Sequence, residues 1–324
     1  MNKEAIWTRA LKENTVEALN EALIAGCGRD LIHMAEVIHD RQLAAIADEI
    51  SNNIDAKLVL IAGPSSSGKT TTSKRLAFHL LGIGIRPLII NMDNYFRPRE
   101  ETPRDEHGDY DFECLGAMDV PFLNLQLRHL FDGEEIELPT YDFKEGKRKF
   151  TGNKIKMEKG SIVVMEGIHG LNPDLTPGIP PEYKFKLYAS VLRSLTINEP
   201  DDTLYDTRLL RRMVRDYTFR GTGPEDTILR WPKVIDAENK NIVPYMDNAD
   251  AKFDSALIYE LSLLKSYADN LLRSVPPYSD AYPEAARLLH FIMNNISALT
   301  PKEVGLIPSS SIVREFIGGS IFRY

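Results

Sequence analysis

Residues 63–70 read Gly63-Pro-Ser-Ser-Ser-Gly68-Lys69-Thr70, which matches the phosphate-binding spacing G-x-x-x-x-G-K-[ST] in full. Nucleotide phosphates need many convergent donors with no bulky side chain in the way. Glycines let the backbone wrap, the N–H groups and a helix start face the anion, and a lysine reaches the outer phosphates. The pattern assigns Gly63, Ser65, Ser66, Ser67, Gly68, Lys69, Thr70 and the adjacent Thr71 to ATP, with the Thr70 hydroxyl turned toward Mg²⁺. A chance glycine-rich turn would not need a buried strand before it and a helix after it, and both are present.

A phosphate loop alone does not separate a kinase from a GTPase or a motor, so other residues must decide. Asp93 follows an apolar run. A carboxylate at the end of the strand next to the loop strand reaches the γ-phosphate region, where it can take a proton from an attacking hydroxyl; a turn aspartate is the alternative. Glu166 ends the run Ile162-Val-Val-Met165, the Walker-B type of position for holding Mg²⁺. Residues 208–220 hold five arginines, Arg208, Arg211, Arg212, Arg215 and Arg220, followed by Gly221 and Gly223. Guanidinium groups neutralise phosphoryl charge, and the glycines permit movement, so a phosphate-closing lid is expected. A solvated, salt-bridged helix is the plainer reading of such a run.

These residues must be held by strands and helices that the apolar pattern outlines. Lys57–Ala62, Pro87–Met92, Ser161–Met165 and Lys184–Val191 read as strands buried on both faces, and Ser255–Tyr259 as a candidate fifth. With a helix over Thr70–Leu81, this alternation predicts an α/β three-layer P-loop kinase fold on a five-stranded parallel sheet. Glu135–Phe143 and Lys149–Ile155 predict an inserted β-hairpin. Extra helices are expected at both ends, over 4–50 with a break at Gly26-Cys27-Gly28, and over Ala285–Ala298. The implied division is an N-terminal helical segment (1–54), a kinase domain (55–265) and a C-terminal extension (266–324).

Composition narrows the function classes. A net charge of −8 over 324 residues argues against a dedicated nucleic-acid binder, which would need a basic surplus. Two cysteines, Cys27 and Cys114, lie far apart without metal-ligand spacing, so a reducing compartment is expected. Residues 1–12 carry no apolar signal core, and no run approaches the roughly 18 apolar residues of a membrane span; a cytoplasmic protein is expected. His33 and His39 stand six apart, off one helical face, and read as surface or packing histidines rather than metal ligands. The C-terminal helix could serve a homo-oligomer interface as easily as a core.

Taken in order, Gly63–Thr70, Asp93-Asn-Tyr-Phe96, Tyr110-Asp-Phe112, Pro139-Thr-Tyr-Asp-Phe143, Glu166-Gly-Ile168 and the arginines 208–220 resemble the uridine kinase family, which is grouped with phosphoribulokinase. The resemblance spans about Leu58 to Leu257. It implies a nucleoside 5′-kinase of nucleoside salvage using ATP and Mg²⁺. Asp93 would be the general base, and Thr70, Glu166 and Asp93 the Mg²⁺ set. Lys69 and Arg215 would be catalytic, and Arg215 and Arg220 would reach the ATP phosphates. Phe96, Asp111, Tyr141 and Arg212 would face the nucleoside, with Asp111 on the ribose hydroxyls and Tyr141 against the base. The helix over 32–50 and the tail 307–319 resemble a longer bacterial group in which the kinase follows a threonyl-tRNA-synthetase-like region, which makes this chain the expected kinase half of a longer protein.

The sequence departs from that pattern where a base would be read. The histidine usual after Tyr-Asp-Phe is absent, its place falling near Gly146; the segment Phe112–Asp119 is altered; and Thr222 or Gly223 stands where a second lid arginine is usual. A sugar-phosphate kinase, using Lys144, Lys147, Arg148 and Lys149 on the hairpin, remains an alternative, as does a regulatory nucleotide-binding module without turnover.

Overall fold

The computed structural model describes residues 3–106, 108–193, 195 and 203–324. Three helices come first, α1 (Lys3–Glu13), α2 (Val16–Ile24) and α3 (Gly28–Asn52). Besides the expected break before Gly28 there is another at Asn14, which has φ 51°. There Thr15 caps α2 by accepting the Ala18 N–H at 3.2 Å. Next come β1 (Leu58–Ala62), α4 (Lys69–Gly82), β2 (Arg86–Asn91), α5 (Val120–Phe131), β3 (Glu135–Asp142), β4 (Lys147–Lys156), β5 (Ser161–Glu166) and β6 (Lys184–Ser190). Helices α6 (Thr203–Arg220) and α7 (Pro224–Asn241) lead to β7 (Ala251–Asp254). They are followed by α8 (Glu260–Arg273), α9 (Tyr282–Asn295) and two single turns, α10 (Pro301–Val304) and α11 (Arg314–Ile317).

Strands β2, β5, β1, β6 and β7 form one sheet in that order, and every pairing is parallel. The hairpin β3–β4 is inserted between β2 and β5 and turns at Gly146, where φ is 71°. The loop strand β1 is central and wholly buried, so successive side chains serve opposite faces. Val59 and Ile61 join α3, α4 and α8 on one side, while Leu58 and Leu60 join α5 on the other.

Two strand expectations need correction. The second strand, β2, lies at the sheet edge, with Ile89 44% exposed, so it is not buried on both faces. The fifth strand is Ala251–Asp254, not Ser255–Tyr259. Asp254 ends it by accepting the Ala256 N–H at 3.1 Å, which turns the chain away from the sheet. The apolar Leu257 and Tyr259 then fill the core beside α3, an ambiguity that a short apolar run always carries.

The terminal helices are packed against the same framework. Leu19 of α2, Leu210 and Met213 of α6, Leu264 of α8, and Ala285, Leu288 and Ile292 of α9 share one buried cluster. The apolar face of the C-terminal helix is therefore spent on the core. No helix of the described residues is long and apolar enough to cross a membrane.

Candidate phosphoryl-transfer site

The loop between β1 and α4 is shaped by close approach. A Cβ on Gly63 would lie 1.9 Å from the Ala189 carbonyl oxygen of β6, so no other residue fits there. Gly68 is left-handed at φ 84°, and Ser66 takes φ 58°. The Ser66 and Ser67 hydroxyls are buried with no hydrogen-bond partner among the described residues, which is what a loop built around an anion leaves behind. Lys69 donates to the Pro64 carbonyl at 3.0 Å. Burial lowers its pKa, opposed by Glu166, Glu315 and Asp93.

The carboxylates expected at the strand ends open on the same cleft, whose volume is about 800 Å³. Glu166 accepts the Thr70 hydroxyl at 2.9 Å. Burial pushes its pKa up to about 7, against the pull of Lys69 and of that hydrogen bond. Asp93 follows β2, which is not next to the loop strand as expected but separated from it by β5, and sits in a short 3₁₀ turn where its N–H donates to Asn91 Oδ1 at 2.8 Å. Its surface faces the open cleft while protein surrounds the rest, so burial raises its pKa and Lys69 and Arg220 oppose the rise. Thr70 and Glu166 are hard oxygen donors already drawn together, so they fit a magnesium ion; no cluster of three or more His, Cys, Asp or Glu suited to a metal occurs among the described residues. His39 is buried with its ring on the Ala256 carbonyl at 2.8 Å, and His33 is exposed.

The arginine run divides into two sets. Arg208 and Arg211 are buried props: Arg208 donates to the Ser65 carbonyl at 3.1 Å and pairs with Glu238 at 2.6 Å. Arg211 reaches the Ser66 carbonyl at 3.3 Å and pairs with Glu260. They hold the phosphate loop from behind. Arg212, Arg215 and Arg220 line the cleft instead, and each pairs with Asp216, at 3.2, 3.7 and 3.3 Å. Arg212 also donates to the Ser65 hydroxyl at 2.7 Å.

A second pocket of about 250 Å³ adjoins Asp93 and is walled by Met92, Phe96, Phe112, Met118, Phe143 and Ile168. Tyr141 lies behind this wall, 5% exposed, edge-on to Phe96 and Phe143. Phe143 rather than Tyr141 presents a ring to the space. Asp111 is also turned away, its carboxylate accepting the N–H groups of Glu113 and Cys114 at 3.0 and 3.2 Å. Glu113 is a second carboxylate, after Asp93, that lines both pockets; its side chain is open to them, while the protein around it raises its pKa. His169 lines the second pocket as well. It packs beside the backbone of Glu113 and Cys114, yet neither ring nitrogen has a well-formed partner among the described residues. Burial holds its pKa down to about 4, so it is neutral near pH 7. Sequence reasoning missed Glu113 and His169. Each stood two or three residues beyond a motif already recognised, Asp111 and Glu166 respectively.

A phosphate loop on the central strand, acidic groups after β5 and after the edge strand β2, and an arginine helix across the opening define a P-loop phosphotransferase. A sequence model of the phosphoribulokinase / uridine kinase family matches residues 58–260, and the chain belongs to that family. It is 30% identical over 176 residues to a uridine kinase of Deinococcus deserti, covering 54% of this chain and 75% of that one. It is 28% identical over 194 residues to uridine-cytidine kinase B of Dictyostelium discoideum, covering 60% and 72%. Among solved structures, a putative fructose transport system kinase from Silicibacter sp. aligns with TM-score 0.43 at 16% identity, over 65% of this chain and 98% of the other.

Proposed function

We propose that the protein transfers the γ-phosphate of ATP to the 5′-hydroxyl of a nucleoside, an entry step of nucleoside salvage. The observation that carries this reading is that the phosphate loop and the aromatic-walled pocket meet at Asp93, which lines both. On this reading a flat base lies against the wall formed by Phe96, Phe112 and Phe143, with its ribose toward Glu113 and the reacting hydroxyl toward Asp93. The relatives named as uridine and uridine-cytidine kinases support the same acceptor class.

In this mechanism Asp93 accepts the hydroxyl proton as the oxygen attacks in line. Lys69, Arg215 and Arg220 stabilise charge on the transferring group, and Arg212 and Glu113 hold the acceptor. Thr70 and Glu166, with Asp93 alongside, would hold Mg²⁺, which neutralises phosphate charge when bound. Asp111 and Tyr141 support the acceptor pocket from behind.

The sugar-phosphate alternative has less to rest on. Arg148 pairs with Asp119 at 2.5 Å and Lys149 with Asp142 at 2.8 Å, and the hairpin cations are absent from both pocket linings. Release of ADP in the presence of a panel of nucleosides, sugars, sugar phosphates and pantothenate tests the proposal. Nucleosides should stimulate it most. Stimulation by sugar phosphates alone would transfer the reading to the alternative, and stimulation by nothing would remove it.

A further inference from the structure

We propose that Glu315, in the C-terminal segment beyond the family-matched residues, is a positioning residue for the nucleotide, anchored on the start of α4 through the buried Thr71 and setting Arg215 to meet the phosphates. The inference rests on the ATP-binding reading and names an element of that site which the kinase motifs do not contain.

Residues 312–324 fold back onto the phosphate loop and the arginine helix. Ile312 packs against Gly68 so tightly that a Cβ there would lie 2.3 Å from its Cδ1. Glu315 is 8% exposed and splits its carboxylate between two elements. One oxygen accepts the Thr71 hydroxyl at 2.7 Å and the Thr71 N–H at 3.4 Å; the other lies 3.3 Å from Arg215 Nη1. The Tyr324 hydroxyl is 2.9 Å from the Thr71 hydroxyl. Phe316, fully buried, stands 5.1 and 5.8 Å from the guanidinium groups of Arg211 and Arg215. Glu315 and Tyr324 both line the main cleft.

Arg212, Arg215 and Arg220 face one cleft and repel one another, with Asp216 shared among them. Glu315 gives Arg215 a carboxylate of its own, on the side of the phosphate loop. Packing by Ile312 and Phe316 would suffice to dock the segment. A buried carboxylate carries a desolvation cost that docking does not require. Its partners are a cleft arginine and the residue after Thr70, which points to preorganisation of the phosphate side. The opposing view is that Glu315 is an anion sitting where a phosphate should, to be expelled by the nucleotide.

Binding of a fluorescent ribose-labelled ATP to the full chain decides between them without reference to any acceptor. Glu315→Ala and Arg215→Ala should each weaken binding about tenfold. Because one residue acts through the other, the double variant should be little worse than either single one. Glu315→Asp should recover part of the loss, and Glu315→Gln serves where the alanine variant does not fold. Binding by Glu315→Ala as tight as wild type, or tighter, would overturn the proposal, and so would purely additive losses. Failure of the wild-type chain to bind the labelled ATP would remove the nucleotide reading, and the role of Glu315 with it; absent turnover with binding intact would touch only the acceptor assignment.

Discussion

The Thr70 hydroxyl donates to the Glu166 carboxylate at 2.9 Å, tying the first turn of α4 to the end of β5. That carboxyl is buried and titrates near 7, well above the ordinary 4.5. Because the folded value is the higher one, folding favours the protonated group. Its contribution to stability is complete below about 4.5 and is lost as pH rises through about 7. Thermal melts without metal or nucleotide should therefore show a decline over that window that Glu166→Gln abolishes. Melts of the two proteins that change in parallel with pH would remove Glu166 as the cause.

Asp93 should be separable from nucleotide binding. Asp93→Asn keeps the size of the side chain and removes its basicity, so turnover should fall about 10²–10⁴-fold. Affinity for ATP should change little, because Lys69 and the loop amides hold the phosphates. The rise in the Asp93 pKa by burial also sets a direction for the pH–rate profile. Activity needs the ionised form, so the acid limb of kcat/KM for wild type should be displaced upward from that of an ordinary aspartate. Retained turnover in Asp93→Asn would return Asp93 to the turn-residue reading.

The donor half of this site could be read from sequence because its signals are local. The glycine spacing of 63–68 after the β1 run, Glu166 at the end of the β5 run and Asp93 just after β2 each lie within a few neighbouring positions. The arginine run was visible too, but its division was not. Which guanidinium props the loop depends on Glu238 and Glu260, 30 and 49 residues downstream. Glu315 carried no local signal, since its partners lie 244 and 100 residues away. In the acceptor half, residue type was informative and direction was not: Asp111 and Glu113 are both carboxylates, and backbone hydrogen bonds decide which one turns inward.

That difference between Asp111 and Glu113 can be measured. Glu113→Gln should raise the nucleoside KM about tenfold or more, because a charge-assisted hydrogen bond to the acceptor is lost. The KM for ATP should stay nearly constant. Asp111→Ala removes an acceptor for two backbone N–H groups instead, so it should lower the melting temperature with less effect on nucleoside KM. Steady-state kinetics with both substrates varied distinguishes them. A larger nucleoside KM defect in Asp111→Ala would restore Asp111 to direct contact.

The two sets of arginines should fail in different ways. Arg211 is fully buried and holds Glu260, the Ser255 carbonyl at 2.7 Å and the Ser66 carbonyl at 3.3 Å. Arg211→Met fills the space but leaves the Glu260 carboxyl without its counter-charge, which costs about 3–5 kcal/mol. Adding Glu260→Leu removes the orphaned charge and should recover much of that loss, as chemical denaturation of the single and double variants would report. Arg212 is only half-buried and bonds the Ser65 hydroxyl from the cleft side. Arg212→Met should cost less stability than Arg211→Met, because Asp216 keeps Arg215 and Arg220 as partners, while weakening substrate binding. A severe loss of stability in Arg212→Met, or none in Arg211→Met, would show that the helix is not divided in this way between support and chemistry.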